Sequence, residues 1–361
     1  MMRFQDGGRF LGEGVYGCAF EPALKCNKVF VKNKKTRTVG KLTKIREGQT
    51  EFEVSQKLKD IPNADKYFTI IQQLCTPLPR YKQEDPELNK CEILKKANID
   101  TMVQLVMPFS GKPLYSVPKS PSSIHFYKMG RHILEAGALL LTRKIVHGDL
   151  HAANILVSSP DIAKIIDYGL AWSPDKLTLA NVDLLARVFY PKILQEPPEL
   201  TYLQGLLSKM PERIIFSRIQ EEKSLLKSIE KVYGVSVKSQ MDELKDFVRT
   251  SKVVKARDYY GFYKLYWSKI DAWALGYDLL TLYVEMMMVY GEDVSPELEK
   301  NKVNVLRAIR GLLEIDPAKR LDAAEALEIW DPNSKVLKTD DVQEWLIKQK
   351  PMRYKIDKIL H

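Results

Sequence analysis

One short stretch constrains this chain more than any other. His147-Gly148-Asp149-Leu150-His151-Ala152-Ala153-Asn154 is followed after a brief gap by Ile165-Ile166-Asp167-Tyr168-Gly169. Between them, Ile155-Leu156-Val157 and Ala163-Lys164-Ile165-Ile166 are apolar and rich in β-branched residues, and they predict a hairpin presenting Asn154 and Asp167 at one end. An amide oxygen and a carboxylate are hard ligands suited to Mg2+. Asp149 adds a carboxylate that can face an attacking hydroxyl. Phosphoryl transfer requires both kinds of group.

The rest of the chain divides by character. Up to residue 110, short β-rich runs alternate with turns: Phe10-Leu11, Cys18-Ala19-Phe20, Val29-Phe30-Val31, Thr38-Val39, Phe68-Thr69-Ile70-Ile71 and Met102 to Met107. One helical pattern interrupts them, with Phe52, Val54 and Leu58 on its apolar side. Thr76 to Lys90, rich in Pro, Asp and Lys, reads as a surface loop. Beyond Met107-Pro108-Phe109-Ser110-Gly111 the pattern turns helical, with helices predicted over 123–143, 222–232, 270–290, 302–314 and 322–329. This is an α+β arrangement: a small β-rich lobe over 1–110, a larger helical lobe over 111–330 and a tail over 331–361. A charged, mostly helical insert occupies about 201–262. The break at Ser110-Gly111 is the expected hinge.

Composition removes several classes. With 45% hydrophobic and 28% charged residues, the 361-residue chain reads as an ordinary soluble globular protein. Its longest apolar run, Leu279 to Tyr290, is interrupted by polar residues and too short to span a bilayer. Met1 to Asp6 carries no apolar signal core, so secretion is not expected and a cytoplasmic location is. Cys18, Cys26, Cys75 and Cys91 form no CxxC pair, which predicts reduced cysteines without zinc. The net charge of +10 favours acidic partners such as nucleotides. No aromatic-basic interleaving marks a nucleic-acid platform, so specific nucleic-acid binding is not expected.

Gly12-Glu13-Gly14-Val15-Tyr16-Gly17 would let two strands fold tightly over a phosphate chain and offer backbone N–H donors. A dinucleotide fingerprint would need a helix next. Cys18-Ala19-Phe20 reads instead as a strand.

These residues together resemble the eukaryotic-type protein kinase family. Its H-R-D-L-x-x-x-N and D-F-G motifs match His147 to Asn154 and Asp167 to Gly169. Asp271-Ala272-Trp273-Ala274-Leu275-Gly276 resembles the family's D-x-W-x-x-G helix start, and Asp316-Pro317-Ala318-Lys319-Arg320 its late D-P-x-x-R element. Pro197-Pro198-Glu199 resembles A-P-E, which implies a buried ion pair between Glu199 and Arg320. The resemblance implies a bilobal fold with ATP and Mg2+ in the cleft. Gly12, Glu13, Gly14, Val15, Gly17 and Ala19 would cover the nucleotide. Met107, Phe109 and Ser110 would form the adenine hinge, where Pro108 cannot donate. Asn154 and Asp167 would hold the metal, Asp149 would orient the acceptor hydroxyl, and His151 would stand near the transferred phosphate.

The family also places a strand lysine against a helix glutamate, which matches Glu51 best. Lys32, in Val29-Phe30-Val31-Lys32, has the look of the family motif. Side chains alternate along a strand, however. The residue two before the lysine then faces the nucleotide, and at Lys32 that residue is the bulky Phe30. At Lys41 it is Val39, which favours Lys41. Gly17 to Cys26, Val39 to Leu42, Tyr67-Phe68 and Cys75 are similar to divergent kinases of large nucleocytoplasmic DNA viruses, for which host cytoplasm or virion would be the location. Gly148 departs from the family's Arg, which argues against control by loop phosphorylation. His151 departs from its Lys and is shared with small-molecule kinases resembling aminoglycoside and choline kinases. The leading expectation is a monomeric serine/threonine kinase acting on a protein substrate, with no membrane contact. A small-molecule kinase and a non-catalytic nucleotide-binding scaffold are the alternatives.

Overall fold

Five antiparallel strands build the amino-terminal sheet: β1 (Arg9–Gly14), β2 (Gly17–Glu21), β3 (Thr38–Lys44), β4 (Gln73–Cys75) and β5 (Met102–Pro108), in the order β1-β2-β3-β5-β4. The computed structural model describes residues 8–14, 17–26, 37–78, 87–96, 98–185, 188–291 and 295–357. They form two units, one of residues 1–112 with 156–158 and 164–171, the other of 113–155, 159–163 and 172–361. A β-sheet region therefore precedes a largely helical one, the α+β class expected from the sequence.

Register assigns each strand residue to a face. Ala19 opposes Gly12 and Lys41, and Lys41 opposes Leu105. Directly opposed residues share a face and neighbours alternate. Gly12, Ala19 and Lys41 thus look one way, while Glu13, Cys18, Leu42 and Gln104 look the other. That second face carries a core of Cys18, Phe20 and Leu42 packed with Leu24, Leu88, Cys91, Ile99 and Met102. Within it the buried Gln104 amide accepts from Leu24 N–H at 2.8 Å and donates to Leu24 O at 2.9 Å. A Cβ on Gly40 would come within 2.1 Å of the Gln104 side-chain oxygen, so glycine is required beside Lys41.

Two expectations shift. The strand read at Phe68 to Ile71 is a single bridge from Phe68 to Ile165, and β4 begins only at Gln73. The Ser55 hydroxyl accepts from Ile71 N–H, and the Gln56 amide donates to Ile71 O, so helix side chains satisfy backbone groups that a ladder would otherwise use. Helix α1 (Ile45–Lys59) buries Gly48, Glu51, Ser55 and Leu58, with Phe52 and Val54 only half-buried. A Cβ on Gly48 would lie 2.5 Å from the Val103 side chain, which shows how closely α1 approaches β5. The strand read at Val29 to Val31 lies outside the described residues.

The cysteine expectation is overturned. Cys18 pairs with Cys91 and Cys26 with Cys75, with Cα separations of 6.0 and 5.9 Å. Partners 73 residues apart meet because the segment after residue 87 packs on the sheet, and partners 49 apart because Cys26 runs beside the end of β4. Spacing rules for local motifs cannot see such pairs. The cytoplasmic expectation loses the support it took from reduced thiols. Reducing both bridges is expected to lower the stability of this unit by about 2–5 kcal/mol. Hydrogen exchange across β2 and β5, with and without reductant, measures this; identical protection would exclude the bridges.

The second unit is helical. Helices Phe126–Thr142, Tyr259–Tyr290, Pro296–Leu312 and Ala323–Trp330 correspond to four of the predicted ones. Tyr259–Tyr290 starts earlier than expected because the Asp258 carboxylate caps it, accepting from Gly261 N–H at 2.8 Å. The insert folds as Pro198–Leu207, Glu212–Glu222, Leu225–Tyr233 and Val237–Thr250. The helix read over 222–232 is Leu225–Tyr233, which starts after a break at Lys223, whose buried ammonium donates to Ile193 O and Glu196 O. The Glu199–Arg320 ion pair is present and fully buried, with bonds of 2.8 and 2.9 Å. Among the described residues, no helix is long and apolar enough to cross a membrane.

Candidate active site

Lys41 extends from β3 between two carboxylates. Its ammonium lies 2.7 Å from Glu51 Oε2 and 2.7 Å from Asp167 Oδ1. Burial opposes its charge, but Glu51 and Asp167 outweigh that and hold the Lys41 pKa above its ordinary value. Tyr168 N–H also donates to Glu51. Asp167 itself adopts the left-handed conformation, with φ +67°. Asp is among the residues that tolerate this region. Gly169 N–H donates to Asp167 Oδ1 at 3.3 Å. Tyr168, standing where the family motif has Phe, buries its ring and donates its hydroxyl to Ile165 O at 2.8 Å. Lys32 lies outside the described residues.

The glycine loop separates into two kinds of glycine. Among the described residues, a Cβ on Gly12 or Gly14 would meet no atom within 4 Å, so their packing does not demand glycine there. A Cβ on Gly17 would lie 2.2 Å from Leu42 O, so Gly17 is needed by the β2–β3 pairing itself. Glu13 turns away from Lys41: its carboxylate accepts from Glu92 N–H at 2.8 Å, on the opposite face of the sheet. Ala19 shares the Lys41 face, and Val15 lies outside the described residues. Gly17→Ala is expected to destabilise the sheet by about 1–3 kcal/mol through overpacking. Gly12→Ala and Gly14→Ala should leave the melting temperature unchanged and alter only nucleotide affinity, which calorimetry with ATP would read.

At the expected hinge, Met107 pairs with Val39, one pair before the β3–β5 ladder ends at Thr38 and Pro108. Phe109 N–H donates to Arg37 O at 2.9 Å, and the Arg37 guanidinium stacks 4.0 Å from the Phe109 ring centre. Its amide is therefore already used. The Ser110 hydroxyl donates to Pro108 O at 3.2 Å.

The loop from His147 is built within the helical unit. Asp271, on the Tyr259–Tyr290 helix, accepts from His147 N–H at 2.6 Å and Gly148 N–H at 3.0 Å. Gly148 has φ +72°, a conformation that glycine adopts without strain. Asp149 N–H donates to His147 Nδ1 at 3.3 Å, and Asn154 Nδ2 donates to Asp149 O at 2.9 Å. Ala153 N–H donates to His151 Nδ1 at 3.2 Å, which assigns the ring proton to Nε2. That nitrogen lies 3.7 Å from Asp149 Oδ2 and 3.3 Å from Asn154 Nδ2. Asn154 thus spends its nitrogen inside the loop. Its amide oxygen is a hard donor.

Asp278 was not singled out in the sequence, because nothing in Gly276-Tyr277-Asp278-Leu279 marks it. It is 4% exposed and accepts from Ala152 N–H. Burial pushes its pKa up to about 7, with His151 and that N–H pulling the other way. The folded value lies above the unfolded one. The carboxyl's contribution to stability is therefore full below pH about 4 and disappears as pH rises through about 7, a change of roughly a few kcal/mol. Urea titrations at pH 5 and pH 8 are expected to show wild type losing more stability than Asp278→Asn.

Residues 8–182 match the family of protein tyrosine and serine/threonine kinases. That stretch is similar to a protein kinase domain. It contains Lys41, Glu51, Asp149, Asn154 and Asp167, whereas the Asp271 and Arg320 elements lie beyond it. The chain is also similar to mitogen-activated protein kinase kinase kinases 1a and 1b of Physcomitrium patens, each at 29% identity over 175 residues. The similarity covers 48% of this chain and 20% of each relative. The chain thus spans about a fifth of the length of the curated relatives it matches. Both are plant proteins. The resemblance to viral kinases rests on residues 17–26, 39–42, 67–68 and 75 alone.

Proposed function

We propose that this protein transfers the γ-phosphoryl group of Mg-ATP to serine or threonine hydroxyls of protein substrates. The observation carrying this reading is the Lys41 ammonium held at 2.7 Å by both Glu51 and Asp167. A buried lysine kept charged by two carboxylates is a rigid phosphate-binding cation. In this reading Lys41 binds the α- and β-phosphates, and Glu51 fixes its direction. Asn154 and Asp167 would hold Mg2+, which would supply positive charge to offset that developing on the phosphates. Asp149 orients the acceptor hydroxyl and takes its proton. The open space around Gly12 and Gly14 supports close approach of phosphates to their backbone.

Protein substrates are favoured by the similarity to protein kinases over residues 8–182 and by the Glu199–Arg320 pair. Gly148 leaves no arginine to clamp a phosphorylated loop. Lys223 offers another means of holding the segment before Pro197, through its bonds to Ile193 O and Glu196 O. A small-molecule phosphotransferase is the second reading, favoured by His151 where protein kinases carry lysine. Incubation with γ-labelled ATP, Mg2+, a basic protein and a panel of small alcohols separates the two. Label on serine or threonine is the expected result. Label only on tyrosine, only on small alcohols or on nothing would overturn the proposal.

A further inference from the structure

Burying a lysine is costly unless its ammonium is hydrogen-bonded and its charge is compensated. Lys223 has no exposed surface. The chain leaves the Glu212–Glu222 helix there and resumes helical form at Leu225. The ammonium donates to Ile193 O at 2.7 Å and to Glu196 O at 2.8 Å. Burial pushes its pKa down to about 8, while the Glu196 and Glu199 carboxylates favour its charge. Its support is packed, because Ile215, Ile219, Leu225, Leu226 and Ile229 are all buried and the Gln240 amide donates to Leu226 O at 2.9 Å.

The run that Lys223 grips is held by other groups as well. Trp273 Nε1 donates to Leu194 O at 2.9 Å. The Glu196 carboxylate accepts from the Thr201 hydroxyl at 2.7 Å and from the Gln204 amide at 2.6 Å. Just upstream, the Arg218 guanidinium of the insert lies 5.0 Å from the ring centre of the buried Phe189. Gln195 stands between these anchored carbonyls. It lines one cavity with His151, Ala152 and Ala153, which belong to the loop that carries Asp149. Lys223 and Trp273 thus fix the backbone on both sides of a residue that borders the catalytic loop.

We propose that the insert is a built-in brace, in which Lys223 positions Ile193 to Glu196 beside the catalytic loop so that a protein substrate docks there without a phosphate on the segment after Asp167. The inference rests on the reading of the protein as a kinase and names how that site is kept in working order. A phosphate orders a loop by bringing charge and hydrogen bonds to nearby arginines. Gly148 offers no arginine in its place, whereas the Lys223 ammonium brings a charge and two hydrogen bonds from inside the fold. A phosphate comes and goes, but a side chain stays. Lys223 touches no reacting atom in this reading, so it is a positioning residue. A misplacement of about 1 Å near the acceptor is enough to cost about a hundredfold in rate, which gives two remote hydrogen bonds leverage over the substrate.

Lys223→Met keeps an unbranched stem of similar length and removes both donors. The full chain carrying it is assayed with γ-labelled ATP and a basic protein, and hydrogen exchange is followed across the chain. The KM for the protein is expected to rise about tenfold, the worth of a charged hydrogen bond, with the KM for ATP unchanged. Exchange over 193–196 should quicken by a similar factor while Phe126–Thr142 and Ala323–Trp330 stay as protected as in wild type. Phosphatase-treated wild type, shown by its mass to carry no phosphate, should keep its full rate. Thr201→Val removes the hydroxyl that holds Glu196 and leaves Lys223 in place. It should raise the protein KM about two- to fivefold, and it carries the test if Lys223→Met does not fold. A lysine that merely supports the fold would lower the melting temperature on substitution and leave the ratio of the two KM values unchanged. That result, or loss of activity on phosphatase treatment, overturns the inference. Wild type that transfers nothing sinks the kinase reading instead. Exchange then decides alone: faster exchange over 193–196 in Lys223→Met keeps the brace, and equal exchange ends it.

Discussion

Asp149→Ala is expected to lower the turnover of phosphoryl transfer by about a thousandfold, within the range of about 10²–10⁴ set by a positioned general base. The affinity for ATP should change little, because the residues proposed to bind its phosphates are Lys41 and the glycine loop. The loop should keep its shape. Asp149 contributes its backbone N–H to His147 Nδ1 and its backbone carbonyl to Asn154 Nδ2, and neither bond needs the carboxylate. Asp271 continues to hold His147 and Gly148 from the helix below. Single-turnover kinetics with saturating ATP measure the loss directly. Activity above a tenth of wild type would remove Asp149 from the chemistry.

Glu199→Ala is expected to destabilise the helical unit by about 3–5 kcal/mol, the cost of leaving one partner of a buried ion pair uncompensated. The geometry explains why this pair stands out among the many at the surface. Arg320 places all five N–H groups: two on Glu199, and one each on Glu314 O, Lys269 O and Ile315 O. Its guanidinium also lies 5.1 Å from the Trp273 ring centre. Removing Glu199 leaves a fully buried cation with carbonyls only. Replacing both residues by apolar side chains of similar volume should recover much of the loss. Urea denaturation followed by tryptophan fluorescence suits the measurement, since all five tryptophans, at 172, 267, 273, 330 and 345, belong to the helical unit. A change below about 1 kcal/mol, the worth of an exposed ion pair, would refute the argument.

Much of this protein was legible because its informative residues are close in sequence. Asp149, Asn154 and Asp167 span nineteen residues, and short-range spacing alone brings out their chemistry. The preference for Lys41 followed from strand alternation, and its ammonium does lie against Glu51. The periodicities that distinguish strand from helix are local too, which is why the α+β division could be read. The tertiary structure decided what depends on distant partners. Cys18 meets Cys91 across 73 residues, and the Glu13 carboxylate meets Glu92 N–H across 79. Gly17 owes its identity to Leu42, and the Phe109 amide is taken by Arg37. Asp278 looked like any helical aspartate until its neighbours were in place. Pattern in a sequence records what each residue prefers, but a buried atom without a partner exists only relative to the whole packed core.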